Sequence, residues 1–302
     1  MYHLASVFPP IRKLGRLPLS RDQVMLLMVA VNEIFLGVDH YLAHLISGTI
    51  RPYEMIPIVF GPVAGVLVLA AGVIALRWRT FASAGITLVL SVSIVIGLLG
   101  WCLHFFRAIL PYGPAGERVT IELLIWAPPF LGPLTASLVG LLGIIAAWRE
   151  NPPDSGAIEL SPRWRVQLPC DKAHAYFLLV GLGTLATLIS SVLDHARTGF
   201  VNTWLWVPVV IGVFGTVVGV SLGFIRKPSR VDLTIFILAM LLLIAVGVIG
   251  AGLHLREDYI LGGGLIVPER FIRGAPFLAP LLFSDMGALG LVALLDPRER
   301  RE

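Results

Sequence analysis

The sequence predicts an all-α integral membrane protein: eight transmembrane helices forming two tandem four-helix repeats related by a pseudo-two-fold axis along the membrane normal. Three observations lead there. Of 302 residues, 57% are hydrophobic and 14% charged, with a mean hydropathy of +0.86, whereas a soluble domain carries about 25% charged residues. The apolar residues fall in runs of about 20, the length that spans a bilayer. Short motifs recur in the same order in both halves of the chain. This composition excludes a soluble enzyme, a nucleic-acid binder and a disordered chain. The net charge of +4 and pI of 9.3 do not argue for nucleic acid, because the basic residues sit between the apolar runs.

The elements follow in order. Residues 1–22 form an N-terminal segment with Arg12, Lys13, Arg16 and Arg21. No small-residue cleavage site follows the first apolar run, so that run is expected to be a retained helix. Spans are expected at 23–48, 55–77, 81–109 and 119–148, making a first repeat over 23–148. A Pro-rich polar stretch, 149–173, reads as a linker. Spans at 174–197, 203–225, 231–255 and 267–296 make a second repeat over 174–296, followed by a tail, 297–302. Of the 23 Lys and Arg residues, 16 fall on the side of the termini. Only Arg51, Arg107, Arg118, Arg197, Arg256, Arg270 and Arg273 fall on the other. By the positive-inside rule both termini are expected to be cytoplasmic, in a multi-pass protein of the cell (inner) membrane.

The internal duplication rests on four landmarks. Asp39-His40 near the end of the first span matches Asp194-His195 in the fifth. Ile56-Pro57-Ile-Val-Phe-Gly61 matches Val207-Pro208-Val-Val-Ile-Gly212. Gly97-Leu-Leu-Gly100-Trp-Cys-Leu-His104 matches Gly247-Val-Ile-Gly250-Ala-Gly-Leu-His254. Pro129-Phe-Leu-Gly-Pro133 matches Pro276-Phe-Leu-Ala-Pro280.

Asp39, His40, His104, Asp194, His195 and His254 are therefore expected at one depth, near the outer face. Polar groups inside a membrane carry a burial cost and are functional candidates by default. One arrangement pairs His40 with His104, and His195 with His254, across the diagonals of two bundles as axial ligands of b-type haem. Gly97, Gly100, Gly247, Gly250 and Gly252 would then clear space for a macrocycle, and Arg107, Arg197 and Arg256 would meet its propionates. A second arrangement is a transition-metal centre using His40, His104, His195 and His254 with Asp39 and Asp194, in a membrane enzyme or a metal/proton transporter. In that case the Asp residues bind metal or orient a histidine from another helix. A third is a cofactor-free scaffold subunit in which the histidines are interhelical struts.

Glu33 and Asp285 break the duplication, standing where the other repeat has Leu188 and Leu138, and are candidates for a proton or ion path. The Pro pairs are expected to kink the fourth and eighth spans. Trp101, Trp126, Trp204 and Trp206 read as interfacial anchors. Cys102 and Cys170 lie too far apart in sequence and setting to imply a disulfide or thiolate metal site. No nucleotide-binding or serine-hydrolase motif occurs in a usable context. The expected partners are the lipid bilayer and other membrane or periplasmic redox subunits, with no nucleic acid.

Overall fold

The computed structural model describes residues 4–7, 18–46, 48, 50–109, 119–161 and 163–298. Most of the N-terminal segment, including Arg12, Lys13 and Arg16, lies outside the described residues, as do Arg118 and the last four residues of the tail. After a single turn, α1 (Leu4–Val7), the first half contains α2 (Arg21–Leu45), α3 (Met55–Ile74), α4 (Arg79–Ile109), α5 (Ile121–Trp126) and α6 (Leu134–Ala147). The second contains α7 (Lys172–Ala196), α8 (Trp206–Phe224), α9 (Arg230–Leu261), α10 (Pro268–Arg273) and α11 (Leu278–Ala293). Local sequence sets the starts. Ser20 accepts from the Gln23 N–H while the Gln23 side chain accepts from the Ser20 N–H, a reciprocal cap on α2. Asp171 caps α7 and Ser229 caps α9 in the same sense.

Among the described residues six helices are long and apolar enough to cross a membrane: α2, α3, α4, α7, α8 and α9, with α3 and α8 each extended by a preceding 3-10 turn. Their outward faces carry large apolar side chains such as Val73, 70% exposed, Leu88, 69%, and Val210, 65%. A protein with such faces is a multi-pass membrane protein, since water would drive them together.

The expected spans 119–148 and 267–296 are each interrupted. Pro128 forces Ala127 out of the helical region, to φ −70 and ψ 163. Pro129 and Pro133 also lack N–H donors, so the chain resumes as α6 only at Leu134. In the second half Gly274 ends α10 and Pro276 lies just beyond it, and α11 begins at Leu278. The 14 residues of α6 rise roughly 21 Å, less than the ~30 Å of a hydrocarbon core.

The expected linker 149–173 folds into a small antiparallel sheet, β1 (Arg149–Glu150), β2 (Ala157–Ser161) and β3 (Trp164–Gln167), in the order β1-β2-β3. Ile158 is buried in β2 between partly exposed neighbours. Glu150 organises the turn before β2 by accepting from the N–H groups of Asp154 at 3.1 Å and Gly156 at 2.7 Å.

In the first half α2 packs on α3 and α6, and α4 packs on the same two helices, so α2 and α4 lie across a diagonal. The second half has the same order of neighbours, with α7 and α9 across the diagonal. Between halves, α2 meets α11 and α6 meets α7. Close approach depends on glycine. A Cβ on Gly61 would stand 2.6 Å from the Glu33 carbonyl of α2, and one on Gly181 2.6 Å from the Val220 nitrogen of α8.

The two halves are clasped at the end where α2 and α7 begin. Lys172, fully buried, donates to Asp22 Oδ2 at 2.6 Å and to the Trp148 carbonyl. Tyr176 Oη donates to Asp22 Oδ1 at 3.0 Å, and Arg21 Nε donates to the same oxygen at 3.1 Å. Glu150 lies 3.8 Å from the Arg21 guanidinium and accepts from the Lys172 N–H at 3.3 Å. The Arg21 N–H donates to Asp296 O at 2.9 Å, drawing the chain beyond α11 into the cluster. Such charges are tolerable inside only because each is matched and hydrogen-bonded. Lys172→Met is expected to leave Asp22 Oδ2 without its donor, in a cluster then short of one positive charge, and lower stability by about 3–5 kcal/mol. Arg298→Ala, which removes an exposed pair with Asp296, is expected to change it by less than about 1 kcal/mol. Denaturant unfolding of both variants in the same detergent checks the contrast.

Candidate functional site

Histidines gather at the far ends of α2, α4, α7 and α9, opposite the clasp. The proline breaks position two of them. Backbone freed from helical bonding offers carbonyls, and His104 Nδ1–H donates to Pro129 O at 3.2 Å while His254 Nδ1–H donates to Pro276 O at 3.1 Å. On α2, His40 Nδ1–H donates to Leu36 O and His44 Nδ1–H to His40 O, the latter at 2.8 Å. A carbonyl can only accept, so these bonds place the proton on Nδ1 and the lone pair of the neutral ring on Nε2. That is the second-sphere arrangement that orients metal-ligating imidazoles.

The rings meet in two pairs. His195 and His254, from diagonal helices α7 and α9, lie 6.4 Å apart between centroids at an interplanar angle of 77°. His195 Nδ1 also lies 3.4 Å from Ser191 Oγ, one turn back on α7. In the first half the partner of His104 is His44, at 6.1 Å and 70°. The ring against His104 is thus that of His44, with the expected partner His40 one turn back on α2. His40 and His44 share a face one turn apart, and the crossing of α2 with α4 brings the later one to His104.

The carboxylates do not join these rings. Asp194 lies 3.5 Å from Arg197, three residues on along the same helix, and Asp39 is exposed. Among the described residues no three His, Cys, Asp or Glu side chains come close enough to hold one ion. The expected centre built from His40, His104, His195 and His254 with Asp39 and Asp194 is therefore not assembled there. Adjacent helical residues point about 100° apart, which separates each Asp from its neighbouring His.

The arginines divide. Arg107 and Arg256 are exposed near the ends of α4 and α9. Arg197 is committed to backbone, donating to Ile125 O at 2.8 Å and Ala127 O at 3.0 Å. It closes the carbonyl end of α5, a favourable place for a cation, and ties α7 to the first half. Four of the five glycines expected to make room for a macrocycle instead seat a neighbouring helix. A Cβ on Gly97 or Gly247 would fall 2.4 or 2.2 Å from Ser137 Oγ or Ser284 Oγ, and one on Gly100 or Gly250 2.8 or 2.9 Å from Pro133 or Pro280. Only the fifth, Gly252, has open space beside it.

Two acidic groups lie deeper. Asp285 of α11 accepts from Asn32 Nδ2 through both oxygens, at 3.1 and 3.0 Å, bridging the halves. Glu33 is 1% exposed, beside Ser93 of α4, and its Oε1 has no hydrogen-bond partner. Sequence reasoning identified both acids but not Asn32 or Ser93. The available signal for Ser93 is its departure from Leu243, the residue that matches it when the Gly97 and Gly247 motifs are superposed.

No family model, curated protein or solved structure is similar to this chain. Function must therefore be read from its own geometry. The packing role of the glycines gives one test. Gly247→Ala is expected to destabilise by about 1–3 kcal/mol through overpacking against Ser284. Gly252→Ala, which meets nothing, is expected to stabilise by up to about 1 kcal/mol through helix propensity. Thermal unfolding of the two single variants measures the difference.

Proposed function

We propose that the protein is an eight-span membrane protein made of two tandem four-helix repeats, and that each repeat binds a redox cofactor between histidines at its outer end, b-type haem being the specific form. The single observation that carries the cofactor reading is the His195–His254 pair. It joins two diagonal helices, and His254 has its Nδ1 proton held by a carbonyl. A haem supplies four equatorial nitrogens and needs only two imidazoles from the protein. A non-haem ion needs three or more protein donors, which the described residues do not gather. The donor set therefore fits haem better than a bare metal.

Support for eight spans comes from the way the breaks are hydrogen-bonded. Non-helical backbone at membrane depth needs its freed polar groups satisfied by the protein, and His104 and His254 donate to carbonyls of the two breaks. On this reading α5 with α6, and α10 with α11, are discontinuous fourth and eighth spans. Support for duplication comes from bonds that recur at matched positions. Ser137 Oγ donates to Ile94 O at 3.0 Å, and Ser284 Oγ to Ile244 O at 2.9 Å. Basic residues concentrate at the clasp end, which supports a cytoplasmic clasp and histidines toward the outer face of the cell (inner) membrane.

Bound haem would supply one-electron transfer. The chain's own contribution is to bring His195 and His254 together from diagonal helices and to orient His254 through its bond to the Pro276 carbonyl. The partners on this reading are lipid and other membrane or periplasmic redox subunits. The purified protein is expected to show a Soret band that shifts on reduction, and His254→Ala is expected to lose the band assigned to the second repeat. A colourless, metal-free protein whose His254→Ala variant loses only stability contradicts the reading and identifies a scaffold subunit.

A further inference from the structure

The first half contains a small cavity beside α2. It is wide enough for about one water molecule, and Glu33, His40, Gly61, Ser93 and Ala136 are among its lining residues. Superposing the motifs of the two halves sets Glu33 against Leu188, Ser93 against Leu243 and Ala136 against Phe283. All three of those apolar side chains are buried. Leu188 and Phe283 press on Gly212, the match of Gly61, so closely that an added Cβ would stand 3.0 and 3.1 Å from them. The first half therefore has a carboxyl, a hydroxyl and a methyl where the second has a packed apolar cluster.

Glu33 and Ser93 lie side by side in this cavity. Glu33 Oε1 and Ser93 Oγ are buried without a hydrogen-bond partner, although Glu33 and Ser93 are only 1% exposed. Leaving such atoms unmatched costs free energy, and a lone carboxylate in a low-dielectric interior costs far more than a neutral carboxyl. Of the remaining lining residues only His40, on α2 itself, is titratable; α3, α4 and α6 contribute Pro, Phe, Gly, Ser, Ile and Ala. No positive side chain from those helices faces Glu33 to balance a negative charge.

From this asymmetry we infer that Glu33 is an intramembrane proton-binding site. It holds one proton as a neutral carboxyl and exchanges it through a single water bridging Ser93 and the His40 side of the cavity. The site is independent of the histidine pair His195–His254 and stands whether or not a haem is bound. One carboxyl, one hydroxyl and one water give too few oxygens for calcium or magnesium, which take six or more.

The test uses the whole protein in lipid vesicles treated with N,N′-dicyclohexylcarbodiimide, an apolar reagent that adds to protonated carboxyl groups. Peptide mass spectrometry is expected to find one adduct, on Glu33, forming faster as pH falls and unaffected by sodium at constant ionic strength. Asp285, with both oxygens bonded to Asn32, is expected to stay unmodified. Ser93→Leu, which copies Leu243 and fills the cavity, is expected to lose the adduct, while Ser93→Ala retains it. Absence of the adduct from wild-type protein, protection by sodium, modification of Asp285 instead of Glu33, or retention in Ser93→Leu would each overturn the proposal.

Discussion

The buried ion pair between Lys172 and Asp22 is the constraint from which the other positions follow. It fixes the beginning of α7 against the beginning of α2 at 2.6 Å, with both helices 25 residues long. Helices are rigid at about 1.5 Å per residue. From Asp22 to His40, and from Lys172 to His195, the rise is roughly 27 and 35 Å, close to the ~30 Å of a hydrocarbon core. A clasp at one membrane edge thereby delivers histidines of both halves to the opposite edge. Arg21, Glu150 and Tyr176 complete the hydrogen bonding that makes the pair affordable in a buried setting.

Around that clasp, the two halves share a packing scheme and differ in polar content. Serine on α6 or α11 bonds to a carbonyl of α4 or α9, and glycine and proline stack above it. These contacts let backbones approach closely, which is how helices associate when lipid offers no hydrophobic drive. The departures are polar and lie in or beside the first half: Glu33 with Ser93, and Asn32 with Asp285 across the α2–α11 seam. A scaffold needs only the shared scheme. Polar groups added at a burial cost, where leucine and phenylalanine serve equally well in the matching place, point to work that one half performs and the other does not.

Much of this was legible in the sequence because membrane helices announce themselves by length and hydropathy. Periodic motifs placed His195 with His254 across a diagonal, and depth placed His40, His104, His195 and His254 at one end. Three features were not legible. The proline pairs read as kinks, yet Pro128 beside Pro129 removes two successive donors and drives Ala127 into extended geometry, so the helix stops. The choice of His44 over His40 as partner of His104 depends on how α2 crosses α4, and both residues share one helical face. Arg197 has the position of an anion-binding cation, but carbonyls at the end of α5 reach it first, a contact between distant parts of the chain that no local pattern encodes.

The central claim is that clasp and histidines occupy opposite faces of one membrane. Single cysteines at Arg163, beside β3, and at Thr198, just beyond α7, in a background lacking Cys102 and Cys170, test it by reaction with a membrane-impermeant maleimide in intact cells. Both positions are exposed in the structure. The account predicts labelling of Thr198→Cys from outside and of Arg163→Cys only after the membrane is opened. Labelling of both from the same side of an intact membrane would contradict it.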